Sequence, residues 1–76
     1  MTLPQFLEIT ADCVEGVEIN ELTATTVFRD LKHWDSLAAL TLIDSVEEAS
    51  GVLLRKADFD RSTRLGELHA CVENGK

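Results

Sequence analysis

Residues 33–36 read His-Trp-Asp-Ser, and three of these side chains are of types that take part in catalysis. Histidine, aspartate and serine form hydrolase triads, in which each group holds the next and an oxyanion hole lies beside the nucleophile. Three groups crowded into four positions at the start of a helix cannot easily form that relay. No Gly-x-Ser-x-Gly turn surrounds Ser36 either. The sequence therefore does not predict a hydrolase.

Metal ligands occur in the sequence, but their spacing does not predict a metal site. Zinc is bound by cysteine and histidine, yet no short pair such as Cys-x-x-Cys occurs among Cys13, His33, His69 and Cys71. The segment from Asp58 begins like a calcium loop, but Thr63 replaces the glycine required at its sixth position. We expect both cysteines to be buried, reduced thiols. A disulfide between the terminal helices would need an oxidising compartment.

Two interpretations of Ser36 remain, a helix cap or a point of chemical attachment. A simple N-cap is worth about 1 kcal/mol, and Asp35 is expected to provide it. Neither residue has Glu or Gln three positions later, where the sequence has Ala38 and Ala39, so a capping box is absent. Ser36 is therefore free to project its hydroxyl from the first turn into solvent.

The helix that positions Ser36 is predicted to start near that residue and to end before Gly51. One broad apolar face must be buried, and it comprises Ala39, Leu40, Leu42, Ile43, Val46 and Ala49. Leu37 does not share this face. It aligns with Thr41, Asp44 and Glu48, so an apolar side chain lies in an otherwise polar, acidic stripe.

A first helix is marked by one apolar face and by local signals at both ends. Thr2 and Gln5 form a capping box, Thr10 can bond back to a carbonyl one turn earlier, and Gly16 is a natural stop. The connection at 17–35 is long, and its scattered apolar residues predict that it packs against the core.

A short helical turn is predicted around Phe59, and a last helix from about Thr63 with Ser62 or Thr63 as its cap. Its inward stripe is Leu65, Leu68 and Val72, and residues 73–76 are expected to fray. The predicted fold class is all-α, a small bundle of three main helices and one short helix, in a single domain over 1–76.

Composition excludes several classes of function. The chain has 76 residues and a net charge of −7, so its surface would repel a nucleic-acid backbone and favour protein partners with basic patches. No apolar run approaches the roughly 20 residues that span a bilayer, and no signal peptide stands at the start. We expect a cytoplasmic protein that binds no membrane.

The motif Asp-Ser-Leu at 35–37 leads an apolar-periodic helix with a Glu-Glu pair that ends at Gly51, and it resembles that of the acyl carrier proteins. The resemblance covers nearly the whole chain, because the predicted elements follow in the same order. It implies a carrier domain whose serine binds 4′-phosphopantetheine covalently, as a phosphodiester. The thiol of that arm carries acyl or aminoacyl groups as thioesters in fatty acid, polyketide or related biosynthesis.

The resemblance also assigns roles to individual residues. Ser36 is the attachment residue, and Asp35 is the acidic neighbour that a phosphopantetheinyl transferase recognises. Leu37 is an apolar contact for partner enzymes, which are acyl or aminoacyl ligases, synthases and transferases. Their basic docking patches are expected to meet Asp44, Glu47 and Glu48. Glu47 falls off the acidic stripe, toward the apolar face.

Several residues depart from the pattern of housekeeping fatty-acid carriers. Ala38 and Thr41 stand where those proteins tend to have acidic residues, and Asp44 where they tend to have an apolar one. Arg55 and Lys56 add positive charge after the second helix. These departures favour a specialised pathway, and the start at Met1 favours a free-standing carrier. A monomer is expected for so small and acidic a carrier. The alternative is a non-catalytic helical module that binds a basic protein partner through the same acidic face.

Overall fold

Within residues 1–75, which the computed structural model describes, the chain forms four α-helices and no strand. They are α1 (Leu3–Cys13), α2 (Ser36–Ser50), α3 (Lys56–Arg61) and α4 (Leu65–Asn74). Two 3₁₀ turns, Ile19–Glu21 and Phe28–Asp30, lie in the connection between α1 and α2. Because α3 has only six residues, the architecture confirms the predicted bundle of three main helices and one short helix.

The local signals around α1 act as predicted, except at its end. The Thr2 hydroxyl accepts the Gln5 N–H at 3.3 Å, and Gln5 Oε1 accepts the Thr2 N–H at 2.9 Å, which completes the capping box. Thr10 is fully buried, and its hydroxyl donates to the Phe6 carbonyl at 2.8 Å. The helix ends at Cys13, and Gly16 lies in the following turn with a φ of +78°.

The connection between α1 and α2 is packed against the core, as predicted, and it also supports α4. Phe28 is fully buried. The N–H groups of Leu65 and Gly66 donate to the carbonyls of Thr26 and Ala24, both at 2.9 Å. A Cβ at Gly66 would lie 3.0 Å from the Ala24 carbonyl oxygen, so a larger residue here would have to displace the connection slightly.

The N-terminus of α4 differs from the prediction, which placed its cap at Ser62 or Thr63. The helix begins at Leu65, and Arg64 occupies the N-cap position. The Glu67 carboxylate accepts the N–H groups of Arg64 and Thr63 at 2.8 and 2.9 Å, and these bonds lower the pKa of Glu67. A glutamate that reaches back, together with carbonyls from the connection, therefore satisfies donors that a cap hydroxyl was expected to satisfy.

The sequence predicts that residues 73–76 fray, but Glu73 and Asn74 are helical, because α4 continues to Asn74. The Glu73 carboxylate lies 3.3 Å from the Met1 ammonium nitrogen and 3.3 Å from His69 Nε2. These contacts join the start of the chain to the last helix. Lys76 lies outside the described residues.

The buried face of α2 differs from the predicted one at its edges. Its central residues are buried or half-buried as predicted, namely Ala39, Leu42, Ile43 and Val46. Leu40, however, is 59% exposed and Ala49 is exposed, whereas Ala38 is buried. The apolar face is wider than the surface that covers it. Because α3 is short and faces Leu40 across a groove, that edge of α2 remains open.

The core is one cluster to which all four helices contribute. The inward stripe of α4 is confirmed, because Leu65, Leu68 and Val72 are fully buried. The other members of the cluster are Phe6, Leu22, Phe28, Leu42, Val46, Val52, Leu54 and Phe59.

Two leucines of α2 provide a matched test of this packing. We expect Leu42→Ala, at a fully buried position, to lower the free energy of unfolding by about 2–5 kcal/mol through lost contacts and a residual cavity. Leu37→Ala removes the same atoms from a side chain that is 70% exposed, and a change within about 0.5 kcal/mol is expected. Urea unfolding measures both. Equal losses in the two variants would contradict the assigned burial.

Candidate functional site

Asp35 and Ser36 have different roles at the start of α2. The Asp35 carboxylate accepts the Ala38 N–H at 2.8 Å, so Asp35 is the N-cap, as predicted. Ser36 is the first residue of the helix and is exposed. Within residues 1–75 its hydroxyl has no hydrogen-bond partner. The cap is therefore complete without Ser36, and the serine hydroxyl is accessible to a reagent.

Ser36 and Asp35 border a groove of about 570 Å³ between the second 3₁₀ turn, α2 and α3. One wall is aliphatic and comes from α2, with Ala39, Leu40 and Ile43. The opposite wall is aromatic and consists of Phe28, Trp34 and Phe59. Charged residues also line it, namely Arg29, Asp35, Lys56 and Asp60. Such an apolar volume beside an accessible hydroxyl can hold a small organic group close to that hydroxyl.

The aromatic wall is a continuous set of ring contacts. The Phe28 and Trp34 centroids are 5.0 Å apart at 63°, and those of Phe28 and Phe59 are 5.9 Å apart at 81°. Trp34 and Phe59 complete the set at 6.0 Å. These are the edge-to-face and tilted arrangements that aromatic pairs prefer. The wall therefore joins the connection before α2 to α3.

Arg29 also connects the segment before α2 to α3. Its guanidinium donates to the Ser62 carbonyl at 2.8 Å and to the Phe59 carbonyl, and it lies 4.7 Å from the centre of the Phe28 ring. Both acceptors are carbonyls at the C-terminal end of α3, where a positive charge is favourable. Arg29 thus fixes the position of α3 across the groove.

Sequence reasoning missed Arg29 and the aromatic wall. The partners of Arg29 are backbone carbonyls 30 and 33 positions away, and no pattern in the sequence indicates such a bond. The only signal was that Phe28, Trp34 and Phe59 are large apolar side chains in segments of weak periodicity.

The residues predicted to meet partners lie along one exposed face of α2. Leu37 is 70% exposed, and the three carboxylates are exposed as well, including that of Glu47, which the helical pattern placed nearer the apolar face. No ion pair within the described part of the chain involves the carboxylates of Asp44, Glu47 and Glu48. Their charges are therefore available to an external cation.

Positive charge lies on the other side of the groove, on α3. The Lys56 ammonium lies 3.3 Å from the Asp60 carboxylate, and Arg61 lies 2.8 Å from Asp58. A hydrogen bond from the Arg55 N–H is the main cause of a lowered Asp58 pKa. The Lys56 side chain is 89% exposed, so its ion pair contributes little to stability.

The two cysteines lie apart from this site. Both are free thiols and half-buried. Cys13 Sγ lies 3.7 Å from Ser45 Oγ, and burial raises its pKa. His33 is exposed, and His69 Nε2 lies 2.9 Å from the Met1 carbonyl oxygen. In the described residues no three metal-ligating side chains of the His, Cys, Asp and Glu types come together.

Comparison with known families gives one match that spans most of the chain. A family model described as the phosphopantetheine attachment site matches residues 7–72. The chain therefore belongs to this family, whose domains carry 4′-phosphopantetheine covalently on a serine. A search of curated proteins finds no match. Among residues 1–75, no helix has both the length and the apolar character needed to cross a bilayer.

Replacing the Arg29 guanidinium tests the role of this residue in fixing α3. We expect Arg29→Gln to increase amide hydrogen exchange over residues 56–61, because the two hydrogen bonds from the charged guanidinium are lost. Their loss should lower the local stability of α3 by about 1–3 kcal/mol. Lys32→Gln is the matched control, since it removes an exposed positive charge from the same connection. Exchange that is equally slow in both variants would show that α3 is held by its other contacts alone.

Proposed function

We propose, starting from that family membership, that Ser36 carries the phosphopantetheine arm and that the chain is an acyl or aminoacyl carrier rather than an enzyme. The observation behind this is the exposed hydroxyl at the first residue of α2, which has no hydrogen-bond partner among residues 1–75 and lies beside an Asp35 that already provides the cap. The residues fit the group, since a phosphodiester needs an accessible hydroxyl and the arm needs the adjoining groove. Once bound, the arm supplies the thiol that holds acyl groups as thioesters.

Attachment exchanges the hydroxyl proton of Ser36 for a phosphoryl group. Ser36 Oγ forms a bond to phosphorus in the pyrophosphate of coenzyme A, the bridging P–O bond breaks, and adenosine 3′,5′-bisphosphate leaves with the bonding electrons. The proton passes to a base of the transferase. Within the described residues Ser36 has no hydrogen-bonded base, and the Asp35 carboxylate is engaged by Ala38. The activating base and the Mg²⁺ therefore belong to the transferase.

The exposed face of α2 is the proposed docking surface for the transferase and for the enzymes that load and use the cargo. It combines an apolar contact at Leu37 with the carboxylates of Asp44, Glu47 and Glu48. A single exposed ion pair contributes only about 0–1 kcal/mol, so recognition needs several of these charges together. Basic patches on the partners would meet this surface and orient the arm toward their active sites.

A specialised pathway is the proposed setting. Ala38 and Thr41 bring no charge to the start of α2, whereas Lys56, on the other side of the groove, is paired with Asp60, and Arg55 precedes α3. A partner that covers the attachment site therefore meets negative charge on α2 and both signs of charge on α3. This distribution suits a dedicated set of enzymes that deliver an acyl or aminoacyl group.

Intact mass after incubation with a broad-specificity phosphopantetheinyl transferase, coenzyme A and Mg²⁺ tests the attachment. The wild type should gain one phosphopantetheinyl group, and Ser36→Ala should gain none. Ser45→Ala, at a half-buried serine of the same helix, should gain one group.

Asp35→Asn keeps a good N-cap. It should therefore retain the unfolding midpoint while its modification becomes slower, which separates capping from recognition.

A control carrier modified in parallel makes a negative result informative. If the control gains mass and the wild type does not, Ser36 is not an attachment site, and the acidic face of α2 becomes the binding surface of an unmodified helical module.

Charge reversal tests the docking surface with the same transferase as the partner. We expect Glu48→Lys to raise KM about two- to fivefold, the range of a lost exposed ion pair, with kcat little changed. Glu15→Lys makes the same change in net charge at an exposed position after α1 and should leave KM near the wild-type value. Steady-state modification at low and high salt measures both. Equal effects of the two reversals would show that net charge, and not this face, governs docking.

A further inference from the structure

The aromatic wall of the groove suggests which cargo the carrier holds. We infer that the groove accommodates a short aromatic acyl group rather than a long straight chain, and that Trp34 is the residue that selects it. This inference rests on the proposed attachment at Ser36. It concerns the chemical class of the cargo, which membership of the family leaves open.

Trp34 is the ring of the wall that a cargo can reach. Phe28 is fully buried and Phe59 is 7% exposed, so most of their surface is already in contact with other side chains. Trp34 is half-buried and lines the same groove as Ser36, two positions later in the chain. The backbone N–H of Trp34 donates to the Leu31 carbonyl at 3.0 Å, and the indole packs against the rings of Phe28 and Phe59. These contacts hold the indole beside the proposed attachment point.

The wall limits the length of the cargo. Phe28 and Phe59 belong to the core cluster that also contains Leu42, Leu65 and Leu68, all three of which are fully buried. None of these leucines lines the groove, so the groove stops at the rings and does not continue into the interior. Folded cores are packed to the density of organic crystals, and opening a path through this one would break those contacts. A long alkyl chain would have to extend along the groove into water.

The chemistry of the walls favours an aromatic group over an alkyl group of the same size. Either would bury apolar area against Leu40 and Ile43. An aromatic cargo would in addition make an edge-to-face or offset contact with Trp34, extending the set of ring contacts that Phe28 and Phe59 already form. This ring contact with Trp34 distinguishes the two cargoes, because they bury apolar areas of similar size.

Loading the carrier with three acyl groups tests the inference. Benzoyl-, cyclohexanecarbonyl- and dodecanoyl-coenzyme A are supplied to the broad-specificity transferase, and intact mass confirms each loaded form. Cleavage of each thioester by hydroxylamine is then compared with that of the corresponding free acyl-coenzyme A. We expect the benzoyl group to be protected about two- to tenfold more than the cyclohexanecarbonyl group, the range of one aromatic contact. Dodecanoyl should be the least protected.

Trp34 provides a second readout and the decisive variant. It is the only tryptophan in the chain, and its emission should change more on benzoyl than on cyclohexanecarbonyl loading. Trp34→Leu should remove the difference in protection, and Trp34→Phe, which keeps a ring and disturbs the fold less, should retain part of it. Leu53→Ala, at a 46% exposed leucine that does not line the groove, is the control and should leave the difference unchanged.

The possible failures are distinct. Loading without greater protection of benzoyl, or with dodecanoyl protected most, overturns the cargo assignment and leaves the carrier function intact. Greater protection that persists in Trp34→Leu overturns the role of Trp34. Absence of mass gain with every acyl-coenzyme A, beside a control carrier that is modified, overturns the proposed function and with it this inference.

Discussion

The hydrogen bond from the Ala38 N–H to the Asp35 carboxylate is the interaction on which the site depends. A helix must satisfy its first N–H groups, and a serine at such a position commonly does so itself. Because Asp35 provides the cap one residue earlier, α2 begins with Ser36 and not after it. The serine hydroxyl is left in solvent, at a point fixed by the helix. The position of the proposed attachment hydroxyl is thus set by the helix cap and by the helix backbone.

The groove beside that hydroxyl follows from the small size of the chain. The apolar face of α2 is broad, and α1, α4 and the connection before α2 cover only part of it. The remaining side faces α3, a helix of six residues that is held through Phe59 and through the bonds of Arg29 to its C-terminal carbonyls. Small domains bury a lower fraction of their surface than large ones do. Here the uncovered edge lies next to Ser36, the proposed attachment residue.

The distribution of charge gives the site two different sides. The carboxylates of α2 have no intramolecular cation in the described residues, whereas the lysine and arginine side chains of α3 are paired locally with Asp58 and Asp60. Exposed pairs of this kind add little to stability. The unpaired carboxylates therefore leave negative charge available to an external cation, whereas the paired residues of α3 present both signs of charge.

The sequence by itself determined the helical order, the start of α2 at Ser36, the cap at Asp35 and the exposure of Leu37, because each depends on contacts within one turn of helix. Capping at Thr2 and Gln5 and the back-bonded Thr10 were predictable for the same reason. Only the tertiary structure decided which edge of α2 is buried, so that Leu40 is open and Ala38 is covered. It also decided how α4 is capped and which rings and which arginine form the groove. Most of these outcomes depend on groups that are distant in the chain, such as Arg29 with the carbonyls of Phe59 and Ser62, and local patterns carry no information about them.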